Sequence, residues 1–149
     1  MQATPELSFR PATAADIPSL LALRQQTMTP HLRRAGAPSD DEANLARVNY
    51  RLEDALLVYD GAELVGLFKV ARDGEAREWK LVQVQIAPAR QGQGLGGHLV
   101  RGLQAEAARA GCAITLEVLK GNPARRLYER CGFVVVGESA LEHQMRWQP

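Results

Sequence analysis

The chain combines two kinds of apolar spacing, one typical of half-buried strands and one typical of amphipathic helices. Runs with a period of two, bounded by turn-forming residues, predict seven strands: 7–10, 55–59, 64–70, 79–86, 114–118, 133–136 and 141–147. Apolar positions three and four residues apart predict four helices: 17–28, 41–52, 95–110 and 123–131. In the second helix, Leu45, Val48 and Leu52 form the expected buried face. The segment 29–41 contains several Pro and Gly residues and predicts a loop.

The order of these elements predicts how the strands pair. Asp60-Gly61 favours a tight hairpin turn, and a turn at Asp73-Gly74 makes the next strand antiparallel as well. The strand–helix–strand segment 79–118 is long enough for a crossover, so its two strands should be parallel. With a closing pair at the end, the sequence predicts an α/β (α+β) fold. It should form a single domain over residues 1–149, with a mixed, mostly antiparallel sheet flanked by helices.

Charge and composition narrow the expected partners. A net charge of +1 over 149 residues gives no bulk attraction to nucleic acid or to an anionic membrane. No apolar run approaches the roughly 20 residues that span a bilayer. The first six residues lack the basic and apolar segments of a secretory signal. We therefore expect a cytoplasmic protein with no nucleic-acid or membrane partner. The His and Cys residues lack metal-ligand spacing, so no metal is expected.

The most informative stretch is a group of four glycines, at 92, 94, 96 and 97, between the fourth strand and the third helix. The first turn of a helix has unpaired N–H groups and the positive end of the helix dipole. Both features favour a bound phosphate. Glycine also lets the main chain approach an anion without a Cβ in the way. The pattern therefore predicts a ligand that bears a phosphate.

Two other interpretations of the glycines were weighed. Gly92-x-Gly94-x-x-Gly97, with Glu117 following 20 residues later, also fits a dinucleotide-binding fingerprint. However, residues 88–91 separate the strand from the first glycine, and more than half of the chain precedes the motif. A purely structural glycine turn is the third alternative.

Two blocks resemble the acyl-CoA N-acyltransferase (GNAT) superfamily. Gln91-x-x-Gly94-x-Gly96, after a strand that ends in Ala87-Pro88, is similar to that family's Arg/Gln-x-x-Gly-x-Gly/Ala signature. The segment 116–133, with Asn122-Pro123 and Leu127-Tyr128 inside it, is similar to the family's next strand and helix. The resemblance implies a GNAT-like sheet whose parallel strands splay at its centre. It also implies an N-acetyltransferase with acetyl-CoA as the donor.

The same resemblance implies which residues hold acetyl-CoA. Main-chain N–H groups of the glycine loop would bind the pyrophosphate, and the end of the preceding strand would pair with the pantetheine arm. Further contacts would come from the last helix and the turn before it. The implied cofactor-binding residues are Gln85, Ile86, Ala87, Gln91, Gly92, Gln93, Gly94, Leu95, Gly96, Gly97, Asn122, Arg125 and Tyr128. A helix N-cap explains Asn122 equally well, and an exposed helical arginine explains Arg125.

Tyr128 matches the family's general acid, which would protonate the departing thiolate. Free phenol and thiol pKa values of roughly 10 and 8.5 make that transfer plausible. The alternative is an aromatic ring that packs with Leu127 and Cys131 on one helix face.

The attacking amine must lose a proton, and many relatives carry a carboxylate for this on the strand before the glycine loop. That strand carries Gln83 and Gln85 here, which cannot act as bases. Glu117 and Glu78 are weak candidates, so the sequence leaves the base unassigned.

The acceptor is expected to be a primary amine of a small molecule or peptide. Met28, His31 and Gln83 are the candidate acceptor-binding residues, although a loop histidine is also explained by solvation and Met28 by core packing. Because no carboxylate base is assigned, the competing function is a non-catalytic acyl-CoA-binding sensor or interaction module. A homodimer formed through the last strands is a further alternative left open.

Overall fold

The computed structural model describes residues 6–72 and 77–149 of the chain. The strands in these residues are β1 (Leu7–Pro11), β2 (Ala55–Asp60), β3 (Glu63–Ala71), β4 (Glu78–Ile86), β5 (Ala113–Leu119), β6 (Val134–Glu138) and β7 (Glu142–Trp147). The α-helices are α1 (Ile17–Thr27), α2 (Thr29–Ala35), α3 (Asp41–Asn49), α4 (Leu95–Ala110) and α5 (Ala124–Arg130). The turn predicted at Asp73-Gly74 and residues 1–5 lie outside the described residues.

The strands form one sheet in the order β1-β2-β3-β4-β5-β7-β6. Every pair is antiparallel except β4 and β5, which are joined by a crossover through α4. This topology confirms the predicted mixed, mostly antiparallel fold and excludes a doubly wound dinucleotide-binding sheet. The parallel pairing covers only Glu78–Lys80 against Ala113–Thr115. Beyond Lys80 the two strands no longer pair, and the sheet opens.

Each face of the sheet carries its own apolar cluster. The larger one packs α4 and α5 on the sheet through Leu95, Leu99 and Leu103, as the spacing in α4 predicts. The other joins α1 and α3 to β2 and β3 through Leu20 and Val48. No helix in the described ranges is both long and apolar enough to cross a bilayer.

The predicted loop over 29–41 was wrong in its first half, because Thr29–Ala35 forms α2. Pro30, one of the prolines behind that prediction, occupies the first turn of α2, where its missing N–H is not needed. Gly36 then ends the helix in the left-handed conformation, with a φ of 72°. Met28 lies between α1 and α2, so the two helices are almost continuous in sequence.

The buried face predicted for the second helix was also partly wrong. Asn44 and Val48 face inward, whereas Leu45 is 39% exposed. The helix ends at Asn49, and Leu52 follows in a short 3₁₀ turn. Asn44 replaces an apolar side chain at this position because its amide is hydrogen-bonded, as described below.

Candidate active site

A cleft of about 480 Å³ lies where β4 and β5 separate. Its walls come from two sides of the molecule. Residues of β5 and α5 line one side, and residues of α1, α2 and α3 line the other. Of the site residues that the sequence indicated, the cleft brings together Met28, Gln83, Gln85, Asn122 and Tyr128.

A bulge in β4 turns two polar side chains into this cleft. Val82 has no partner on β3, because the register moves from Leu81 opposite Val70 to Gln83 opposite Lys69. The extra residue reverses the alternation of the strand. Apolar residues before and after the bulge all face the α4 core, namely Trp79, Leu81, Val84 and Ile86. The sequence carries a signal for this bulge, since the apolar period of two slips by one position at Val82.

Gln83 and Gln85 therefore lie on the cleft side of the sheet, 8% and 4% exposed. Neither amide atom of Gln83 has a hydrogen-bond partner among the described residues, and Oε1 of Gln85 also lacks one. An unsatisfied buried polar group costs roughly 1–3 kcal/mol. These amide atoms are therefore available to hydrogen-bond a molecule that enters the cleft.

The glycine stretch forms the loop that the sequence predicted, directly before α4. Gly92 and Gly94 have φ values of 78° and 80°, which favour glycine. Helix α4 begins at Leu95, and its first hydrogen bond runs from the N–H of His98 to the carbonyl of Gly94, at 3.0 Å. The N–H groups of Leu95, Gly96 and Gly97 precede that bond, so they have no partner within the helix. This is the arrangement that binds an anion.

Side chains hold this loop in place from both ends. Gln91 donates from Nε2 to the carbonyl of Ile86, at 3.0 Å. Arg90 donates to Gln93, Asp60 and Glu63, at 2.9, 2.6 and 2.8 Å, and so ties the loop to the β2–β3 hairpin. The sequence analysis did not single out Arg90, because its partners lie some 30 residues earlier in the chain.

Beyond Lys80, one edge of β4 is no longer paired with β5. Only alternate residues of β4 direct their main-chain groups toward that open edge. Ala87 donates its N–H to the carbonyl of Val65 on β3, at 2.8 Å. Main-chain groups of successive residues point to opposite edges of a strand. The N–H groups of Ile86 and Val84 therefore face the gap left by β5.

Tyr128 lines the cleft and is 8% exposed. Its ring packs edge-on against Phe133, with 5.9 Å between the ring centroids. Within the part of the chain that the structure describes, its hydroxyl makes no hydrogen bond. Burial raises the pKa of Tyr128 to about 12, with a smaller contribution from Cys131. The phenol is therefore protonated throughout the physiological range.

The family resemblance also indicated Asn122 and Arg125 as cofactor-binding residues, and only one of them lines the cleft. Asn122 lines the cleft, and its Oδ1 accepts the N–H of Ala124 at 3.0 Å, so α5 begins one residue later than predicted. The guanidinium of Arg125 is engaged by Glu129 at 2.8 Å and by His143 at 3.1 Å. Arg125 is not one of the residues that line the cleft.

Two carboxylates from adjacent strands also line the cleft. Glu117 on β5 accepts a hydrogen bond from Lys80, which holds the pKa of Glu117 below its usual value. Glu142 begins β7, and burial together with the neighbouring Glu117 raises its pKa. The sequence analysis considered Glu117 but missed Glu142, which lies 25 residues later and reaches the cleft only through the β5–β7 pairing.

The side of the cleft formed by α1, α2 and α3 includes Arg24, Met28, Leu32 and Arg47. His31 lies on α2 but is not among the lining residues. Its Nδ1 contacts a terminal nitrogen of Arg34, and burial lowers the pKa of His31. No cluster of His, Cys, Asp or Glu in residues 6–72 and 77–149 has the geometry of a metal site.

Residues 19–133 match the sequence model of the acetyltransferase (GNAT) family. The chain belongs to this family. No curated protein matches the sequence significantly.

Solved structures of GNAT acetyltransferases share the fold of this chain. An acetyltransferase from Thermus thermophilus is 24% identical, with a TM-score of 0.73 over 96% of this chain and 97% of that one. The PaiA N-acetyltransferase of Thermoplasma acidophilum, in complex with coenzyme A, is 16% identical, with a TM-score of 0.71 over 97% and 99%. A chimeric spermidine N-acetyltransferase from Vibrio cholerae is 22% identical, with a TM-score of 0.68 over 96% and 95%.

Proposed function

We propose that this GNAT acetyltransferase transfers the acetyl group of acetyl-CoA directly to a primary amine bound in the cleft. The observation that carries the proposal is the position of one cleft. It joins the open edge of β4 to Tyr128 and to the unpartnered amide of Gln83. The family membership and the glycine loop at the start of α4 support acetyl-CoA as the donor.

The residues present fit the donor. The N–H groups from Gly92 to Gly97 would bind its pyrophosphate, because those at the start of α4 have no partner in the helix. The N–H of Gln91, predicted to join them, donates to the carbonyl of Pro88 at 3.3 Å. The main-chain groups of Val84 and Ile86 that face the gap would pair with its amide-bearing arm, next to Gln85 and Ala87. Acetyl-CoA supplies an acetyl thioester, which is the reactive group. Arg125 belongs to this site only if it leaves Glu129 and His143.

Tyr128 would hold a proton for the departing sulfur. Burial raises the pKa of Tyr128 to about 12, above that of a free thiol, so the phenol holds its proton firmly. The buried phenol is therefore better suited to donate a hydrogen bond as negative charge develops on the sulfur. Protonation can be completed when solvent reaches the site.

Glu142 would accept the proton of the incoming ammonium. Its raised pKa brings it closer to neutral pH than an ordinary carboxylate, which suits a general base. Glu117 suits the role less, since Lys80 stabilises its ionised form. Gln83 and Met28 would position the acceptor.

A non-catalytic acyl-CoA-binding module is the second candidate. Its motivation was the missing carboxylate, and Glu142 at the cleft weakens that motivation. The homodimer and the cytoplasmic location stay predictions from the sequence.

The test is release of the CoA thiol over a panel of primary amines, beside calorimetric titration of coenzyme A. We expect turnover with some amines and a reduced rate in Tyr128→Phe, at unchanged affinity for coenzyme A. If coenzyme A binds but none of the amines is acetylated, the result would favour the non-catalytic module. Absence of binding by the folded protein would overturn both functions.

A further inference from the structure

Arg24 is a buried cation that has no counter-ion. It lines the side of the cleft formed by α1, α2 and α3. It is 6% exposed and lies on α1, facing α3. Its Nε donates to Oδ1 of Asn44 at 2.9 Å. Among the residues that the structure describes, this is the one hydrogen bond of its side chain. No described carboxylate lies within the 4.0 Å of an ion pair.

The surroundings of Arg24 add positive charge. Burial and the nearby Arg47 lower the pKa of Arg24 to about 10, and Arg24 and Arg47 also act on the buried Lys69. Buried charges in proteins are normally paired, because their desolvation is costly. An unpaired guanidinium beside two other cations, in a chain with a net charge of only +1, indicates that an anion completes the site.

The hydrogen bond to Asn44 engages Nε of Arg24 and leaves its two terminal nitrogens available to a ligand. With Nε engaged, the two terminal nitrogens of Arg24 have no partner in the described residues and retain some contact with solvent. Two parallel N–H groups of a guanidinium match the two oxygens of a carboxylate. Asn44 itself is held by the carbonyl of Ser39 and the hydroxyl of Thr29, so it fixes the guanidinium plane.

We propose that Arg24 binds a carboxylate of the acceptor, and that the acceptor is an amino acid whose amine faces Gln83 and Glu142. The inference rests on the proposed function, because it assigns the substrate class of the same cleft. A cleft of about 480 Å³, shared with the acyl donor, has room for a molecule of this size. Arg24 and Arg47, on the side of the cleft away from Glu117 and Glu142, oppose the second cation of a polyamine, whereas they attract a carboxylate.

The test compares amines in matched pairs that differ only in a carboxylate. Suitable pairs are lysine with cadaverine, β-alanine with ethylamine, and phenylalanine with phenethylamine. We expect kcat/KM to be at least tenfold higher for a carboxylated member. In Arg24→Gln, kcat/KM for that amino acid should fall by roughly 100-fold, while the value for the decarboxylated amine changes less than threefold. Arg24→Lys should recover part of the loss, since it keeps the charge without the planar fork.

Two controls separate this role from a structural one. Both Arg24 variants should keep the wild-type affinity for coenzyme A, which reports a folded domain. Arg33→Gln, on α2 and outside the lining of this cleft, should leave the selectivity unchanged. Equal losses for both members of each pair in Arg24→Gln would overturn the inference.

The outcomes also separate the inference from the proposed function. If decarboxylated amines are acetylated as well as the amino acids, the inference fails and the acetyltransferase function stands. If no amine is acetylated although coenzyme A binds, the proposed function fails, and N-acetylglycine and N-methylacetamide serve as binding probes. A rise in Tm with N-acetylglycine alone, lost in Arg24→Gln, would support the anion site. Equal shifts, or no shift with either probe, would overturn it.

Discussion

Nζ of Lys80 and Oε1 of Glu117 lie 2.9 Å apart, at the point where β4 and β5 stop pairing. Lys80 pairs with Thr115, the last residue of β5 that pairs with β4, and its side chain reaches Glu117 two residues further along β5, where the sheet has opened. The ion pair also shifts the pKa values of two carboxylates, Glu117 and Glu142, in opposite directions. Lys80 stabilises the ionised form of Glu117, and that negative charge in turn adds to the effect of burial in raising the pKa of Glu142.

Replacing Glu142 with Gln should remove the proposed base. We expect kcat to fall by about 100- to 10,000-fold, because a general base accelerates a reaction by a factor of that order. In the wild-type protein, kcat/KM should decrease as the pH falls through the raised pKa of Glu142, since only the ionised form accepts a proton. The pH–rate profile of Glu142→Gln should lack that acidic limb. A profile unchanged by the substitution would exclude Glu142 as the base.

Glu117→Gln provides the matched control on the neighbouring strand. It removes the negative charge that opposes ionisation of Glu142, so the pKa of Glu142 should fall toward its usual value. We expect the acidic limb to move to lower pH, with a much smaller loss of kcat than in Glu142→Gln. A shift of the limb to higher pH would contradict this coupling.

Tyr128→Phe should lower kcat by about 10- to 1,000-fold and leave the affinity for coenzyme A unchanged, since the hydroxyl acts on the departing sulfur. The pKa of about 12 places loss of the phenolic proton above the usual assay range. The wild-type rate should therefore show no alkaline decrease from Tyr128 below about pH 11. Stopped-flow measurement of the chemical step across pH 7 to about 10.5 checks this. An alkaline limb in that range, absent from Tyr128→Phe, would show that the phenol ionises earlier.

The parts of the site that the sequence predicted are those encoded in contiguous residues. The glycine loop follows from glycine content beside a strand and a helix, and Tyr128 follows from the resemblance of residues 116–133 to the GNAT family. Helix α2 was missed because the same Pro30 ends one helix and fits the first turn of the next. Which role Pro30 has depends on where the neighbouring helices begin and end, and the local sequence does not show this.

The residues that were missed depend on contacts distant in sequence. Glu142 enters the cleft because Leu119 pairs with it across β5 and β7. Arg24 is fixed by Asn44, a polar residue on the inner face of α3, where the periodicity predicted Leu45. Helical spacing alone did not distinguish a buried polar contact from an apolar face that is shifted by one residue.

Gly94→Ala should weaken binding of coenzyme A beyond its effect on stability. A non-glycine residue at a φ of 80° costs about 1–2 kcal/mol. Its Cβ would meet no protein atom within 4 Å, so it would occupy open space beside the loop where the pyrophosphate is proposed to bind. Gly111→Ala, at a φ of 70° at the other end of α4, carries a similar backbone strain away from the cleft. We expect both variants to lose comparable stability in urea, but only Gly94→Ala to raise the Kd of coenzyme A, by tenfold or more. Equal affinities in the two variants would remove the loop from the binding site.

Lys69→Met should destabilise the protein through the end of α3. Lys69 is 1% exposed, and its Nζ donates to the carbonyls of Arg47, Val48 and Tyr50, at 3.1, 3.3 and 2.6 Å. Methionine preserves the volume but leaves these carbonyls without that donor, so we expect a loss of about 1–3 kcal/mol in urea unfolding. Lys120→Met, at a half-buried lysine that pairs with Glu138 at the surface, should change stability by less than about 1 kcal/mol.

The pH dependence of that loss has a definite sign. Burial lowers the pKa of Lys69 in the folded protein to about 8, below the 10.5 expected when unfolded. Between these values the unfolded chain binds the additional proton, so wild-type stability rises with pH relative to Lys69→Met. The stability difference between the two proteins should therefore widen from pH 8 to about 10.5. A difference that is constant or narrows over this range would mean that the buried amine keeps its proton as firmly as a solvated one.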